Sequence, residues 1–307
     1  MNSSTNTSAI TNYFDYYIVC SLSATFGLIS ISVSTLIIVI VQRTKPRLHT
    51  IRHLLMCNTC ISSTIYCIVQ FINYIFLIFL PWIISDVACR WRGYFAYASV
   101  TAATYSYLVQ AVSRLFFSVY SGRYPWLTTF NVHYLLILAH WLIIFIIPLP
   151  ALITTDIYFR PGLLCWVPFK HTLHMAYTVI ACYVTPIISI FIIYVVIYRR
   201  IRKAKKAATM ILNGTHDKRD LEVLRNIVIL LCVYIAGGIP TILFMITEIE
   251  LFYLASIVTF TLTVAIEKIC TILLDRDLRP VVKGLLFKTD RIMPYENTCT
   301  RMKMGNV

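Results

Sequence analysis

Seven apolar stretches, each long enough to cross a bilayer as a helix, leave this chain few ways to fold. They lie near residues 16 to 42, 52 to 80, 88 to 119, 131 to 154, 172 to 198, 223 to 247 and 250 to 274. A spanning helix needs about 20 predominantly apolar residues. The connections are short, and no soluble domain of useful size is left over. Composition agrees: 59% of the 307 residues are hydrophobic and 13% charged, against about 25% charged in soluble domains. The expectation is an all-α, seven-transmembrane helix bundle. The first 15 residues are polar and lack the basic start and apolar run of a cleaved signal peptide. The first span then serves as its own insertion signal.

Lysine and arginine favour cytoplasmic loops. With the N-terminus outside, 22 of the 27 basic residues fall on inner loops and the tail. Only Arg90, Arg92, Arg160 and Lys170 fall outside, and Lys268 lies within a span. This divides the chain into an extracellular tail (1–15), a membrane domain (16–287) and a cytoplasmic tail (288–307). The outer tail carries glycosylation sequons at Asn2 and Asn6; a third, at Asn213, falls on the inner side and is expected to stay unmodified. The net charge of +14 and the run "RRIRKAKK" (199–206) invite a nucleic-acid reading. That run directly follows an apolar span, however. Topology explains it, with attraction to anionic lipid of about 1 kcal/mol per basic residue. The partner is the lipid bilayer, and no nucleic acid is expected.

Depth sorts the ten cysteines. Cys20, Cys57, Cys60, Cys67, Cys182, Cys232 and Cys270 lie within spans, where free cysteine behaves as a small hydrophobe. Cys299 is in the cytoplasmic tail, acylated or free. Only Cys89 and Cys165 sit in oxidising surroundings, so they are the natural disulfide.

From Cys89 to Arg114 is an interval of 25 residues, about 37 Å of helix at 1.5 Å per residue. Arg114, in "LVQAVSRLFFSVY", therefore sits at the cytoplasmic mouth. Here the sequence resembles the rhodopsin-like family of G-protein-coupled receptors over nearly its whole length. In that family an outer cysteine on the third helix is bonded to the second outer loop, and an arginine follows at this interval. The family's acidic-Arg-Tyr triplet is here "SRL". Other markers fall at matching intervals: Trp141 in the fourth span, Pro186 in the fifth with Tyr194 eight residues on, and Pro240 in the sixth with Tyr234 six residues before. Asp220, twenty residues before Pro240, stands where many members carry an acid that pairs with the arginine. "LLDRDLRPVVKGLL" resembles the amphipathic helix on the inner membrane face, with Leu278 for the usual phenylalanine.

The departures are as definite. "EKICT" (267–271) replaces the seventh-helix Asn-Pro-x-x-Tyr. Ser63 stands for the second-span acid, Ser34 for the first-span asparagine, and Gly238 for the sixth-helix tryptophan. The resemblance thus implies a divergent member, with its internal sodium site and aromatic toggle in doubt. Glu267 and Lys268 are the charged residues well within a span. As neighbours they point about 100° apart and are not expected to face each other. Lys268 reads as structural, snorkelling toward the inner surface. Glu267 either replaces the missing acid, protonated or holding water or a cation, or is an inert protonated side chain.

The resemblance implies a plasma-membrane receptor in which Arg114 pairs with Asp220 at rest. On activation the sixth helix swings outward about Pro240, Arg114 lines the cavity that accepts a heterotrimeric G protein, and Tyr194 steadies the open form. The bland alternative, Arg114 snorkelling to lipid phosphate, gives Asp220 no task. Ligand-pocket candidates in the outer half are Tyr97, Thr101, Tyr177, Thr178, Thr241, Met245 and Tyr253. Ala96, where amine receptors hold an aspartate, disfavours a monoamine. The loop "ITTDIYFRPGLLCWVPF" is consistent with the outer hairpin of peptide receptors, and Asp156, Glu248 and Glu250 are placed to meet a basic peptide. The lean is to a peptide ligand, with a chemosensory receptor for small molecules as the alternative.

Rival classes fit less well. A Schiff-base lysine is expected seven residues before Lys268, where Thr261 stands. A transporter would show repeats or broken mid-membrane spans. Membrane enzymes need His, Asp or Cys clusters with ligand spacing; none is visible, and no cofactor or metal is expected.

Overall fold

The structure, a computed structural model, describes residues 4–44, 48, 50–79, 85–154, 156–158, 164–167, 171–208, 229, 232–233, 235–247, 249–275 and 278–286. For residues 4–14, 203–208 and 285–286 the description is of backbone alone. In hydrocarbon each backbone N–H and C=O must be paired within its own segment, which makes helix the natural form for such apolar runs. The described residues are accordingly helical, with no strand. In order they form α1 (Ser4–Arg43), α2 (Ile51–Phe79), α3 (Asp86–Leu115), α4 (Phe130–Ile146), α5 (Leu149–Ile153), α6 (Thr172–Val179) and α7 (Thr185–Ala208). The remainder are α8 (Ile235–Thr247), α9 (Glu250–Leu274) and α10 (Leu278–Leu286).

Among the described residues five stretches are long and apolar enough to cross a membrane: Asp15–Arg43, Ile51–Phe79, Phe130–Ile153, Thr172–Arg202 and Glu250–Leu274. Two expected spans differ from these. Most of the 223–247 segment lies outside the described residues, leaving α8 as a shorter apolar helix. The 30-residue α3 is less apolar because it is the central helix, packed against α2, α4, α5 and α7. It buries Ser99, Thr101, Thr104 and Ser106, whose hydroxyls donate to carbonyls of the preceding turn. A helix that faces protein rather than lipid can carry such groups once they are bonded. By contrast Leu135, Leu138, Leu142 and Ile146 form a stripe on α4 that is 56–64% exposed, the face such a helix turns to lipid. α1 also begins well before the expected boundary at residue 15, so the backbone of most of the polar tail is helical.

Prolines shape the helices that frame the site. Pro186 cannot donate to a carbonyl one turn back, and the chain before it opens into a π turn, Ile180–Val184. α3 takes up carbonyls there: Thr104 donates to Cys182 O at 2.9 Å and Tyr105 to Ala181 O at 2.9 Å. Pro148 and Pro150 likewise divide the fourth span into α4 and α5. Near that break Tyr94 donates to Phe145 O at 3.0 Å and Tyr177 to Ile147 O at 2.9 Å. Trp141 donates to Asn58 Oδ1 at 3.1 Å, joining α4 to α2.

α10 is fixed at the end opposite the disulfide. Asp275 accepts the Leu278 N–H at 3.1 Å and pairs with Arg52 at 2.8 Å. Leu278 is fully buried among Ile37, Ile40, Met56 and Cys60. The amphipathic helix expected after the seventh span is thus formed, with Leu278 as its anchor. Much of the expected outer hairpin, residues 155, 159–163 and 168–169, lies outside the described residues; 156–158 and 164–167 carry no strand.

Candidate functional site

Cys89, in the first turn of α3, is bonded to Cys165 with their Cα atoms 5.3 Å apart. Gly93, one turn on, lets the loop lie close, since a Cβ there would meet Cys165 O at 2.5 Å and the Ile157 side chain at 2.9 Å. The loop is further pinned by Tyr97, whose hydroxyl accepts the Val167 N–H at 3.1 Å. Trp166 packs edge-on to Tyr97 at 4.8 Å. Residues 164–167 are thereby laid over this end of the bundle.

Beneath them is a cavity of about 400 Å³. Of the sequence-derived pocket residues, Tyr97, Thr178, Thr241, Met245 and Tyr253 line it. Thr101 and Tyr177 do not. Thr101 is fully buried one turn deeper, donating to Tyr97 O at 2.7 Å. Tyr177 is 40% exposed and turned to the α4–α5 break. The lining is more aromatic than the sequence reading held, for Tyr16, Tyr66, Tyr74, Tyr183, Trp166, Phe244 and Phe260 join it, with Gln70 and Glu250. The usable signals were Trp166 beside the bonded Cys165, and an unusual count of 20 tyrosines. Gly238, standing for the family's tryptophan, also touches the cavity; a Cβ there would overlap the Tyr183 phenol. Tyr183 has taken the space.

Beside the cavity Asp156 holds His174 Nδ1 at 2.7 Å and His171 Nδ1 at 3.3 Å. The hydrogen bond from His174 keeps this carboxyl below its ordinary range against the opposing effect of burial, and the nearby His171 adds to the lowering. Asp156 is therefore already engaged, and Glu248 lies outside the described residues.

The interior charges depart from expectation. Lys268 Nζ lies 2.9 Å from Glu267 Oε2, both side chains buried. Although adjacent residues diverge by about 100° at the backbone, the lysine stem is long enough to curl back within the buried interior. Nor does Lys268 snorkel to the surface. Its Nζ reaches Thr59 O at 3.5 Å and lies 5.9 Å from the centre of the Tyr107 ring. Thr271 donates to Glu267 Oε1 at 3.2 Å, and Gln110 to Thr59 Oγ1. Glu267 thus has a neighbour at each carboxylate oxygen. Ser34 and Ser63, standing for the missing asparagine and acid, are fully buried. Cys60 lies within electrostatic range of the ion pair.

Arg114 is in the last turn of α3, at the opposite end from Cys89. Tyr194 is buried against Ala111, Ile190 and Ile197, with Leu115 beside them. The Arg114 guanidinium lies within electrostatic range of the Tyr194 phenol. Pro240 is on α8. Asp220, Tyr234 and Asn2 lie outside the described residues, and Asn6 is described by backbone alone.

The family model "7 transmembrane receptor (rhodopsin family)" matches residues 33–274. Comparison with curated proteins found no match.

Proposed function

This chain belongs to the rhodopsin family of seven-transmembrane receptors, and from that premise we propose that it binds an extracellular ligand and activates a heterotrimeric G protein. In this reading it crosses the plasma membrane seven times with its N-terminus outside, bearing glycans on Asn2 and Asn6. The observation that carries the proposal is the build of α3. One end is bonded to a loop that covers a ligand-sized cavity, and the other presents Arg114 beside Tyr194. A single rigid element joins the two sites.

At rest Arg114 pairs with Asp220 and holds the inner end of the sixth span against α3. Ligand binding favours the state in which that span moves outward about Pro240. Arg114 is then released to line the G-protein cavity, and Tyr194 steadies it there. On the ligand, the lean to a peptide rested on a hairpin and three acids. The loop has no strand among its described residues, and Asp156 is held by two histidines. A cavity of about 400 Å³ supports the small-molecule alternative, being within the usual range of about 300–1,000 Å³ for such sites.

Basal G-protein signalling tests the resting pair without any ligand. Asp220→Ala, matched to wild type for surface level, is expected to raise the basal signal several-fold. A pair coupled by 1–3 kcal/mol shifts such an equilibrium about 5- to 150-fold. An unchanged signal from a measurably active wild type would remove Asp220 from the mechanism.

A further inference from the structure

We propose that the cavity selects a small monocation with an apolar or aromatic body, that is, an alkyl- or arylammonium. The inference deepens the receptor reading and rests on it for the cavity's role. Among the described lining residues the only charge is the Glu250 carboxylate; no lysine, arginine or histidine contributes. An anionic ligand would meet a like charge there. A neutral one would leave the carboxylate unused.

The surroundings of Glu250 fit an ammonium. Tyr16, from α1, donates a hydrogen bond to the carboxylate. The Tyr16 ring lies 6.4 Å from that of Tyr253, which in turn lies 5.1 Å from Phe244 on α8. Tyr253 is three residues beyond Glu250 on α9, so the two share a face of that helix. Three helices thus contribute a chain of three neighbouring rings, the first of them engaging the carboxylate, to the cavity lining. Aromatic faces attract cations through the ring quadrupole, more strongly in tyrosine and tryptophan sites shielded from water. Elsewhere in the lining Tyr66, Tyr74, Tyr97, Trp166, Tyr183 and Phe260 continue the aromatic wall. That wall suits an apolar body whose charged end stays near Glu250, an exposed polar member of the lining.

The third-span position occupied by an acid in amine receptors is here Ala96, which is buried and absent from the lining. The carboxylate that would serve the ammonium comes from the start of α9 instead, with rings from α1, α8 and α9 around it. A search for a third-span aspartate misses such a site.

The test uses the purified full chain in lipid nanodiscs and three probes: phenyltrimethylammonium, its uncharged isostere tert-butylbenzene, and benzoate. Binding is read as the ligand-induced shift in thermal unfolding over a concentration series. The cation is expected to bind about tenfold or more tightly than the isostere, and benzoate weakest, as one carboxylate and several ring faces imply. Glu250→Gln is expected to cut the preference for the cation about tenfold while leaving isostere binding in place. The proposal is overturned if the isostere or benzoate binds as tightly as the cation, if the cation does not bind, or if Glu250→Gln leaves the preference unchanged. Because binding needs no G protein, the two readings fail separately. A wild type that drives nucleotide exchange yet shows no cation preference loses this proposal alone.

Discussion

Glu267→Ala is expected to destabilise the bundle by about 3–5 kcal/mol, the usual cost of leaving a buried charge without its partner. Lys268 is 1% exposed, and its ammonium has Glu267 at 2.9 Å and the Thr59 carbonyl at 3.5 Å as polar neighbours. With the carboxylate gone, one carbonyl at the limit of hydrogen-bond distance cannot replace it. Thermal unfolding of the purified protein reads the effect, and the double variant Glu267→Leu/Lys268→Leu discriminates its cause. Replacing both members by apolar residues of similar size removes the unpaired charge, so the double variant is expected to recover most of the loss. A single variant as stable as wild type would show that the pair does not exist in the membrane. A double variant no better than the single would show that packing, rather than charge, sets the cost.

Cys89→Ser carries the second large effect. The bond closes a loop across a sequence separation of 76 residues, and losing a native disulfide costs about 2–5 kcal/mol. Here the loss is also local. Residues 164–167 cover the cavity, and without the bond they depend on Tyr97, through its hydrogen bond to Val167 and its contact with Trp166. Lower surface delivery and lower thermal stability are expected. Cys165→Ser should match it, and the double serine variant should add nothing further, since both remove one bond. Full surface delivery of either single variant with unchanged stability would contradict this.

The helical character of the chain was legible because apolar run length is a direct consequence of bilayer thickness. The disulfide was legible because depth assigns each cysteine a redox compartment, and two were left outside. Lys268 was misread because a helical wheel records where Cβ points and says nothing of where a four-carbon stem ends. Thr101 was misplaced by one turn of α3, a difference hydrophobicity does not register. Tyr177 precedes the π turn at Ile180–Val184. Its neighbour Thr178, on the same side of that turn, points about 100° away and lines the cavity, and hydrophobicity does not say which of two adjacent residues faces inward. The exchange between Gly238 and Tyr183 was hidden for another reason. Space vacated on one helix was filled from a different one, and one sequence holds no record of which positions meet.

Arg114, at the far end of α3 from the covered cavity, is the residue we propose to couple this receptor to a G protein. The most direct test is guanine-nucleotide exchange by the purified full chain in nanodiscs, against a panel of heterotrimers spanning the α-subunit classes. Wild type is expected to accelerate exchange on at least one heterotrimer, and Arg114→Ala to return that rate to the heterotrimer's own at equal thermal stability. Exchange by Arg114→Ala at the wild-type rate, or no acceleration by wild type on any heterotrimer, would contradict the account.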